Sequence, residues 1–126
     1  MASALQTEQE IYKTILSAIF PSKPIVHVWL DDPNKQEIFA NIDKVRIVKE
    51  RDEADILIIY KTYDIDAKDK KVFADGYLIF KHYKDNIVGG FYWQKGRPNL
   101  VFIKKNLKDY GISLPDDLQE YIEEDF

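Results

Sequence analysis

The sequence predicts a single-domain α/β sandwich, in which helices flank a central, mostly parallel sheet of about five or six strands with a C-terminal hairpin edge. Two features of the 126 residues support this prediction: helical periodicity alternates with short apolar runs, and no internal repeat or low-complexity linker divides the chain. A chain of this length buries roughly two thirds of its unfolded surface in one core. We therefore expect one domain over residues 1–126, with residues 1–6 an appended or disordered start.

The N-terminal quarter predicts a helix followed by a strand. Thr7 and Glu10 have the spacing of a capping box, and apolar residues then recur at helical intervals as far as Pro21. The run PIVHVWL, residues 24–30, has no polar alternation. Such a run is typical of a strand that is covered on both faces.

The next segment predicts a second helix and two strands. Asp32 and Pro33 fit the cap and the first position of a helix. KVRIVKE, residues 44–50, alternates apolar and charged residues like an edge or half-exposed strand. RDEADILIIY, residues 51–60, gives a short acidic turn and a fully apolar strand. The buried side of the helix is predicted to be Ile38, Phe39 and Ile42.

Residues 61–83 predict a polar loop, a short strand and an ambiguous segment. KTYDIDAKDK, residues 61–70, is polar, and KVFA, residues 71–74, suits a fourth strand. DGYLIFKHY, residues 75–83, fits either a helix or a strand that pairs with residues 86–94. We favour the helix.

The C-terminal third predicts a hairpin and two helices. Lys95 and Gly96 separate two apolar runs at hairpin spacing, and Pro98 restricts the second run to the edge of a sheet. NLKDYGI predicts a short helix that Gly111 closes, because glycine favours the left-handed conformation found there. Residues 113–124, with Pro115 near their start, predict a last helix whose inner side is Leu118, Tyr121 and Ile122.

Composition excludes several classes of function. The net charge of -4 and a pI near 5.2 argue against binding of nucleic acid, which requires clustered Lys and Arg. The chain has no cysteine, so disulfides and thiolate catalysis are excluded. No apolar run approaches the roughly 20 residues of a membrane-spanning helix. No spacing of serine or histidine indicates a nucleophile or a metal site, so we predict neither catalytic residues nor a cofactor.

The first candidate site lies where two predicted strands end. Asp31 and Asp32 follow the first strand, and Tyr60 and Lys61 close the third. Ligands gather at the carboxyl ends of strands in open α/β sheets, so these four residues are candidates for a binding crevice. The alternative is that Asp32 only caps a helix and Asp31 is exposed. The acidic pair also resembles the magnesium-binding acids of response-regulator receiver domains. Lys61 stands where that family has its phospho-accepting Asp, and a lysine cannot form the acyl phosphate.

The second candidate site is the hairpin. Tyr92 and Trp93 must face opposite sides of a strand, so at least one aromatic side chain is not needed by the core. An outward aromatic next to Lys95 and Arg97 is the composition favoured at recognition surfaces. We predict Trp93, Lys95 and Arg97, with Tyr92 and Asn99, as binding residues. The alternative is a plain hairpin whose charges prevent edge-to-edge aggregation.

The order of features over residues 8–122 resembles the YfiR-like periplasmic regulators, a family of small α/β proteins. The residues that carry the resemblance are FP at the end of the first helix, IVHVWLDD, VRIVKERDEADILIIY, GGF, LVFIKKNL and YGISLP. Gly89 and Gly90 match the paired glycines of that family. The paired cysteines of its members are absent here, so redox tuning is not carried over.

The resemblance implies a non-enzymatic exported protein that modulates a membrane-bound signalling protein through ligand or protein binding. It implies a periplasmic location, with the export signal removed from the sequence above. The alternative is a cytoplasmic, degenerate receiver-like adaptor without phosphotransfer. In either case we expect a small-molecule ligand or a protein partner and no insertion into the membrane, and an exposed edge strand permits a homodimer.

Overall fold

One seven-stranded sheet forms the centre of the protein. The computed structural model describes residues 3–66 and 70–124. The strand order is β2-β1-β3-β4-β5-β6-β7, and all neighbours are parallel except β5 and β6. The predicted α/β domain is confirmed. The strands are β1 Val26–Leu30, β2 Val45–Ile47, β3 Ile56–Ile59, β4 Lys71–Asp75, β5 Gly89–Gln94, β6 Arg97–Ile103 and β7 Ile122–Glu123.

Within the described residues, three α-helices and three 3-10 helices surround the sheet. The α-helices are α1 Ala4–Ile19, α2 Tyr77–Tyr83 and α3 Lys104–Tyr110. The 3-10 helices are Pro33–Ile38, Arg51–Glu53 and Asp116–Tyr121. The helix interpretation is therefore confirmed for residues 77–83, whereas Asp75 ends β4. Gly111 ends α3 with a φ of 70°, as its position in the sequence predicted.

The start of α1 differs from the prediction. Ser3, and not Thr7, is the cap: its hydroxyl accepts a hydrogen bond from the backbone N–H of Gln6, whose side chain accepts one from Ser3. The Ser3–Gln6 pair has the same spacing as the Thr7–Glu10 pair one turn later. The sequence therefore contains two possible capping boxes, and α1 begins at the earlier one. Residues 4–6 thus form helical structure. Residues 1–2 of the expected irregular start, and residues 67–69 of the predicted loop, lie outside the described residues.

The C-terminal segment also differs from the prediction. The expected helix over residues 113–124 is a 3-10 helix followed by β7, because the backbone at Ile122 and Glu123 pairs with β6 instead of continuing the helix. Of its predicted inner side only Leu118 is buried. β7 pairs with Phe102 and Ile103 alone, so no described strand covers β6 beside Pro98. The predicted edge position of the hairpin is confirmed.

Two apolar layers cover the two faces of the sheet. One layer joins α1 and the first 3-10 helix to residues such as Phe73 and Phe91. The other joins α2 to residues such as Leu57 and Tyr92. Because α2 packs on β4 and β5, it leaves His27 and Trp29 of β1 half-exposed. The prediction that β1 is covered on both faces was therefore wrong.

The glycine pair that opens β5 is required by packing. A Cβ atom on Gly89 would overlap the carbonyl oxygen of Val101, and a Cβ atom on Gly90 would overlap the ring of Phe80 in α2. The close approach of α2 to the sheet therefore depends on the absence of a side chain at Gly90. The GGF motif has a structural explanation that requires no ligand.

We expect Gly90→Ala to lower the free energy of unfolding by about 1 to 3 kcal/mol, the usual effect of overpacking a core. Gly111→Asn is the matched control, because its site is open and asparagine tolerates a left-handed conformation. Its loss should stay within about 1 kcal/mol. Urea melts measure both. Equal losses would show that the Phe80 contact does not limit the spacing between α2 and β5.

Candidate functional site

The carboxyl ends of the parallel strands β1, β3, β4 and β5 meet at one side of the sheet, which we call the carboxyl edge. Asp31 follows β1, Tyr60 follows β3, Asp75 ends β4 and Trp93 lies near the end of β5. Strand order reverses between β1 and β3, and such a switch point is where doubly wound sheets bind ligands. The two predicted candidate sites therefore share one edge of the molecule.

Asp31 is fully engaged in holding the loop that follows β3. One carboxylate oxygen accepts a hydrogen bond from the backbone N–H of Tyr60 at 2.7 Å. The other accepts bonds from the N–H groups of Lys61 at 2.9 Å and Thr62 at 2.8 Å. Most of the accepting capacity of this carboxylate is thus used within the protein. The geometry favours a positioning role for Asp31 over direct contact with a ligand.

Asp32 and Lys61 lie beside it at the surface. The Asp32 carboxylate accepts a bond from the N–H of Asn34 at 3.1 Å and so caps the 3-10 helix, as the sequence predicted. The ammonium of Lys61 is 3.9 Å from the same carboxylate, and its side chain is 60% exposed. The Asp32 side chain is only 15% exposed, but a pair at this distance holds the solvated ammonium weakly, so Lys61 is free to turn toward a partner.

A buried tyrosine and a half-buried acid form the centre of the carboxyl edge. The hydroxyl of Tyr12 in α1 donates a hydrogen bond to the carboxylate of Asp75 at 2.7 Å. Tyr12 is completely buried among aromatic rings, with centroids 4.9 Å from Phe39, 5.7 Å from Phe73 and 6.2 Å from Phe91. This packing fixes the ring, so the hydroxyl can reach only the end of β4.

Burial raises the pKa of Asp75 to about 7. The neighbouring carboxylates of Glu8 and Asp31 raise this pKa further, whereas the Tyr12 hydrogen bond and the ammonium of Lys35 lower it. The carboxyl group therefore changes charge near neutral pH. Burial, followed by the charge of Asp75, also raises the pKa of the Tyr12 hydroxyl well above its usual value.

The hydroxyl of Tyr60 lies in the same buried region. Tyr12 is close enough to influence its pKa, which burial raises strongly. No described group meets hydrogen-bond geometry with this hydroxyl, however. The ammonium of Lys35 lies 5.6 Å from the centre of the Tyr60 ring, a cation–π distance. The groups around Asp75 thus include the carboxylates of Glu8 and Asp31, the hydroxyls of Tyr12 and Tyr60, and the ammonium of Lys35.

Trp93 connects this cluster to the hairpin. Its indole N–H donates a hydrogen bond to the carboxylate of Glu8 at 3.0 Å, and its ring meets Phe91 edge to face at 5.8 Å. The side chain nevertheless remains 38% exposed. Trp93 is the outward aromatic that the sequence required, and α1 holds it in place.

The hairpin turn places two cations beside Trp93. Lys95 and Gly96 have φ angles of 52° and 76°, as in the two-residue turns that suit hairpins. Lys95 and Arg97 are exposed, and no described carboxylate forms an ion pair with either. The side chain of Asn99 donates a bond to the carbonyl of Arg97 at 3.1 Å, so it supports the turn.

Tyr92 points to the opposite face of the sheet. It is 8% exposed and packs against Tyr77 at 5.2 Å and Phe80 at 6.2 Å. Strand alternation separates it from Trp93, because successive side chains face opposite sides. The structure does not bring this predicted binding residue to the carboxyl edge.

Sequence reasoning missed Glu8, Tyr12 and Asp75. Asp75 ends a buried strand in the same way as Asp31, but it was assigned to the following helix. Glu8 and Tyr12 are four residues apart, a spacing that places both on one face of α1. That spacing was the available signal. The strand against which this face packs follows only from the tertiary structure.

Comparisons with known proteins bear on the fold alone. No protein-family model and no curated protein matches the sequence. The crystal structure of a conserved domain protein from Vibrio cholerae O1 biovar El Tor strain N16961 is similar, with a TM-score of 0.59 and 11% identity over 95% of this chain. The chain spans 59% of that protein.

Two absences apply to residues 3–66 and 70–124. No helix there is long and apolar enough to cross a membrane. No group of three or more histidine, aspartate or glutamate side chains in those ranges is arranged to hold a metal ion.

We expect Asp31→Ala to lower the free energy of unfolding by about 2 to 3 kcal/mol, because it leaves three backbone N–H groups without their acceptor. Asp32→Ala, which removes only a helix cap, should lower it by about 1 kcal/mol. Urea melts of both variants compare the two losses. If Asp31→Ala proves the milder change, the carboxylate does not anchor the loop.

The raised pKa of Asp75 predicts a dependence of stability on pH. Between the ordinary value of 3.8 and about 7, the folded state holds a proton that the unfolded state releases. Stability from this group therefore falls as pH rises through that range and is constant above it. Asp75→Asn lacks this slope, so its stability relative to the natural protein should rise by about 2 kcal/mol from about pH 5 to pH 8. Urea melts across this range measure the difference, and a constant difference would contradict the assignment.

Proposed function

We propose that the protein is a non-enzymatic regulatory binding protein and that its contact surface is the hairpin end of the carboxyl edge. The observation that carries the proposal is the state of Trp93. Its indole is fixed by Glu8 and Phe91, yet its side chain is 38% exposed. An aromatic ring that is already ordered loses little entropy on binding, which is why such residues dominate recognition surfaces.

The charges beside Trp93 support a protein partner. Lys95 and Arg97 lie at the tip of the turn, where a partner can approach without displacing the sheet. The guanidinium of Arg97 can form two parallel hydrogen bonds with one carboxylate, and it can also stack on an aromatic ring. The turn itself requires neither cation. We infer a partner that presents carboxylates beside an apolar pocket for the indole.

The resemblance to the YfiR-like regulators supports a more specific form of this proposal. In that form the protein acts in the periplasm, and its partner is a membrane-bound signalling protein. Lys61, further along the carboxyl edge, offers an exposed cation to a small anionic ligand that modulates the contact. The absence of paired cysteines leaves regulation to ligand binding, charge or protonation.

One observation favours the second candidate, a receiver-like adaptor without phosphotransfer. The first five strands have the order 2-1-3-4-5, which is found in flavodoxin-like folds, including receiver domains. This argument is one of fold analogy. The chemistry of the edge argues against phosphotransfer, because Asp31 is occupied by three backbone N–H groups and Lys61 replaces the acceptor.

Cross-linking tests the hairpin as the contact surface. A photoreactive residue at the exposed position Gln94 should cross-link to a protein of the membrane fraction in living cells. Lys95→Ala combined with Arg97→Ala should abolish the cross-link while changing stability by no more than about 0.5 kcal/mol, as exposed substitutions usually do. Trp93→Ala should also abolish it and lower stability by about 1 to 2 kcal/mol, because the ring is only partly buried.

The matched control is Lys13→Ala combined with Lys105→Ala. Both lysines are exposed, Lys13 on α1 and Lys105 on α3. Their substitution changes the net charge by the same amount as the substitution of Lys95 and Arg97. This variant should cross-link normally. If the two double variants behave alike, the cations of the turn have no part in binding and the contact surface lies elsewhere.

A further inference from the structure

Two polar contacts join the first half of α1 to the carboxyl edge. Glu8 accepts the bond from the indole of Trp93 at 3.0 Å, and Tyr12 donates to Asp75 at 2.7 Å. Glu8 and Tyr12 are one helical turn apart on the same face of α1. A movement of this part of α1 therefore affects both contacts together.

Strand alternation explains why the two contacts are neighbours. Asp75 is paired with Phe91 in the ladder between β4 and β5, and Trp93 lies two residues beyond Phe91. Residues two apart in a strand face the same side, so Phe91 and Trp93 both face α1. The bonded acid of β4 and the exposed tryptophan of β5 thus lie under one stretch of helix.

The charged and titratable groups facing Asp75 come from every element packed around it. Glu8 and Tyr12 belong to α1, Asp31 follows β1, Lys35 belongs to the first 3-10 helix, and Tyr60 follows β3. β5 contributes the apolar ring of Phe91. Ionised Asp75 is therefore a third carboxylate beside Glu8 and Asp31, and Lys35 is the cation that offsets them.

Two responses relieve the resulting repulsion. Asp75 can take up a proton, or the first half of α1 can move away from the sheet and admit water to the carboxylates. The second response separates Glu8 from Trp93, because Glu8 is carried by the same helix. The aromatic packing of Tyr12 opposes the movement of α1. Protonation of Asp75 becomes less favourable as pH rises, so the balance between protonation and movement depends on pH.

We propose that the Tyr12–Asp75 and Glu8–Trp93 contacts form a proton-sensitive clasp, closed over the carboxyl edge when Asp75 is protonated and loosened when Asp75 is ionised. Ionisation releases Trp93 from Glu8 and changes its position beside Lys95 and Arg97. The effect on partner binding rests on the proposed function, whereas the clasp itself is a property of the isolated chain. The raised pKa of Asp75, about 7, places the change near neutral pH.

Fluorescence of Trp93 tests the clasp without any partner. Trp29→Phe leaves Trp93 as the single tryptophan, since the chain contains two. Its emission should shift to longer wavelength between about pH 5.5 and pH 8.5, with a midpoint near the pKa of Asp75. Adding Asp75→Asn should remove the shift. Adding Glu8→Gln should move the midpoint to lower pH, because Glu8 raises the pKa of Asp75.

Two controls separate the clasp from other titrations and from unfolding. His27→Asn and His82→Asn, made in the Trp29→Phe background, should leave the midpoint unchanged, because these are the two histidines of the sequence and their rings contact Asp55 and the carbonyl of Tyr63 rather than Asp75 or Trp93. Circular dichroism should show the same helix content throughout. In the unmodified protein, backbone amides 7–13 should exchange faster above the midpoint after correction for the intrinsic rate.

Emission that stays constant across this range in the folded Trp29→Phe protein would overturn the proposal. So would a shift that persists with Asp75→Asn, because another group would then be its source. Neither result depends on partner binding. If the fluorescence experiment contradicts the clasp, loss of the cross-link in the Lys95→Ala, Arg97→Ala variant still supports the proposed function. If no cross-link forms, a pH-dependent shift of Trp93 emission still supports the clasp.

Discussion

The hydrogen bond between Tyr12 and Asp75 is the contact on which the carboxyl edge depends. It joins the first helix to the end of β4 across the apolar layer, and the aromatic rings around Tyr12 leave its hydroxyl no other described acceptor. A carboxyl group in such a position is costly to ionise, because burial removes water from the charged form. Packing therefore raises the pKa of Asp75 to about 7, so this acid changes charge near neutral pH.

The same helix gives the hairpin its distinctive property. Glu8, one turn before Tyr12, fixes an indole that strand alternation directs toward α1 and that the edge of the sheet leaves partly uncovered. Order and exposure are thus combined in Trp93. Lys95 and Arg97 of the neighbouring turn add positive charge to this surface. Tyr92, on the other face of the sheet, packs against α2.

Asp31 shows how a residue of the expected type can have a different use. Its position after β1 at the switch point is the one at which many α/β proteins hold a ligand. Here the carboxylate holds the loop after β3 through three backbone N–H groups. The groups at this edge that remain available are Lys61 and the exposed hairpin, whereas the hydroxyl of Tyr60 is buried.

The sequence by itself determined the local features of this protein. Apolar periodicity, Gly96 in the turn, Gly111 after α3 and Asp32 as a cap each follow from the conformational preference of a few adjacent residues, and the α/β class follows from their order. The tertiary structure alone decided what depends on distant residues. It selected Ser3 over Thr7 as the cap, turned the last helix into a 3-10 helix and a strand, and brought Glu8 and Tyr12 to Asp75 and Trp93. Tyr12 and Asp75 are separated by 63 positions in the sequence, so no local pattern records their contact, which arises from the packing of a helix on a sheet.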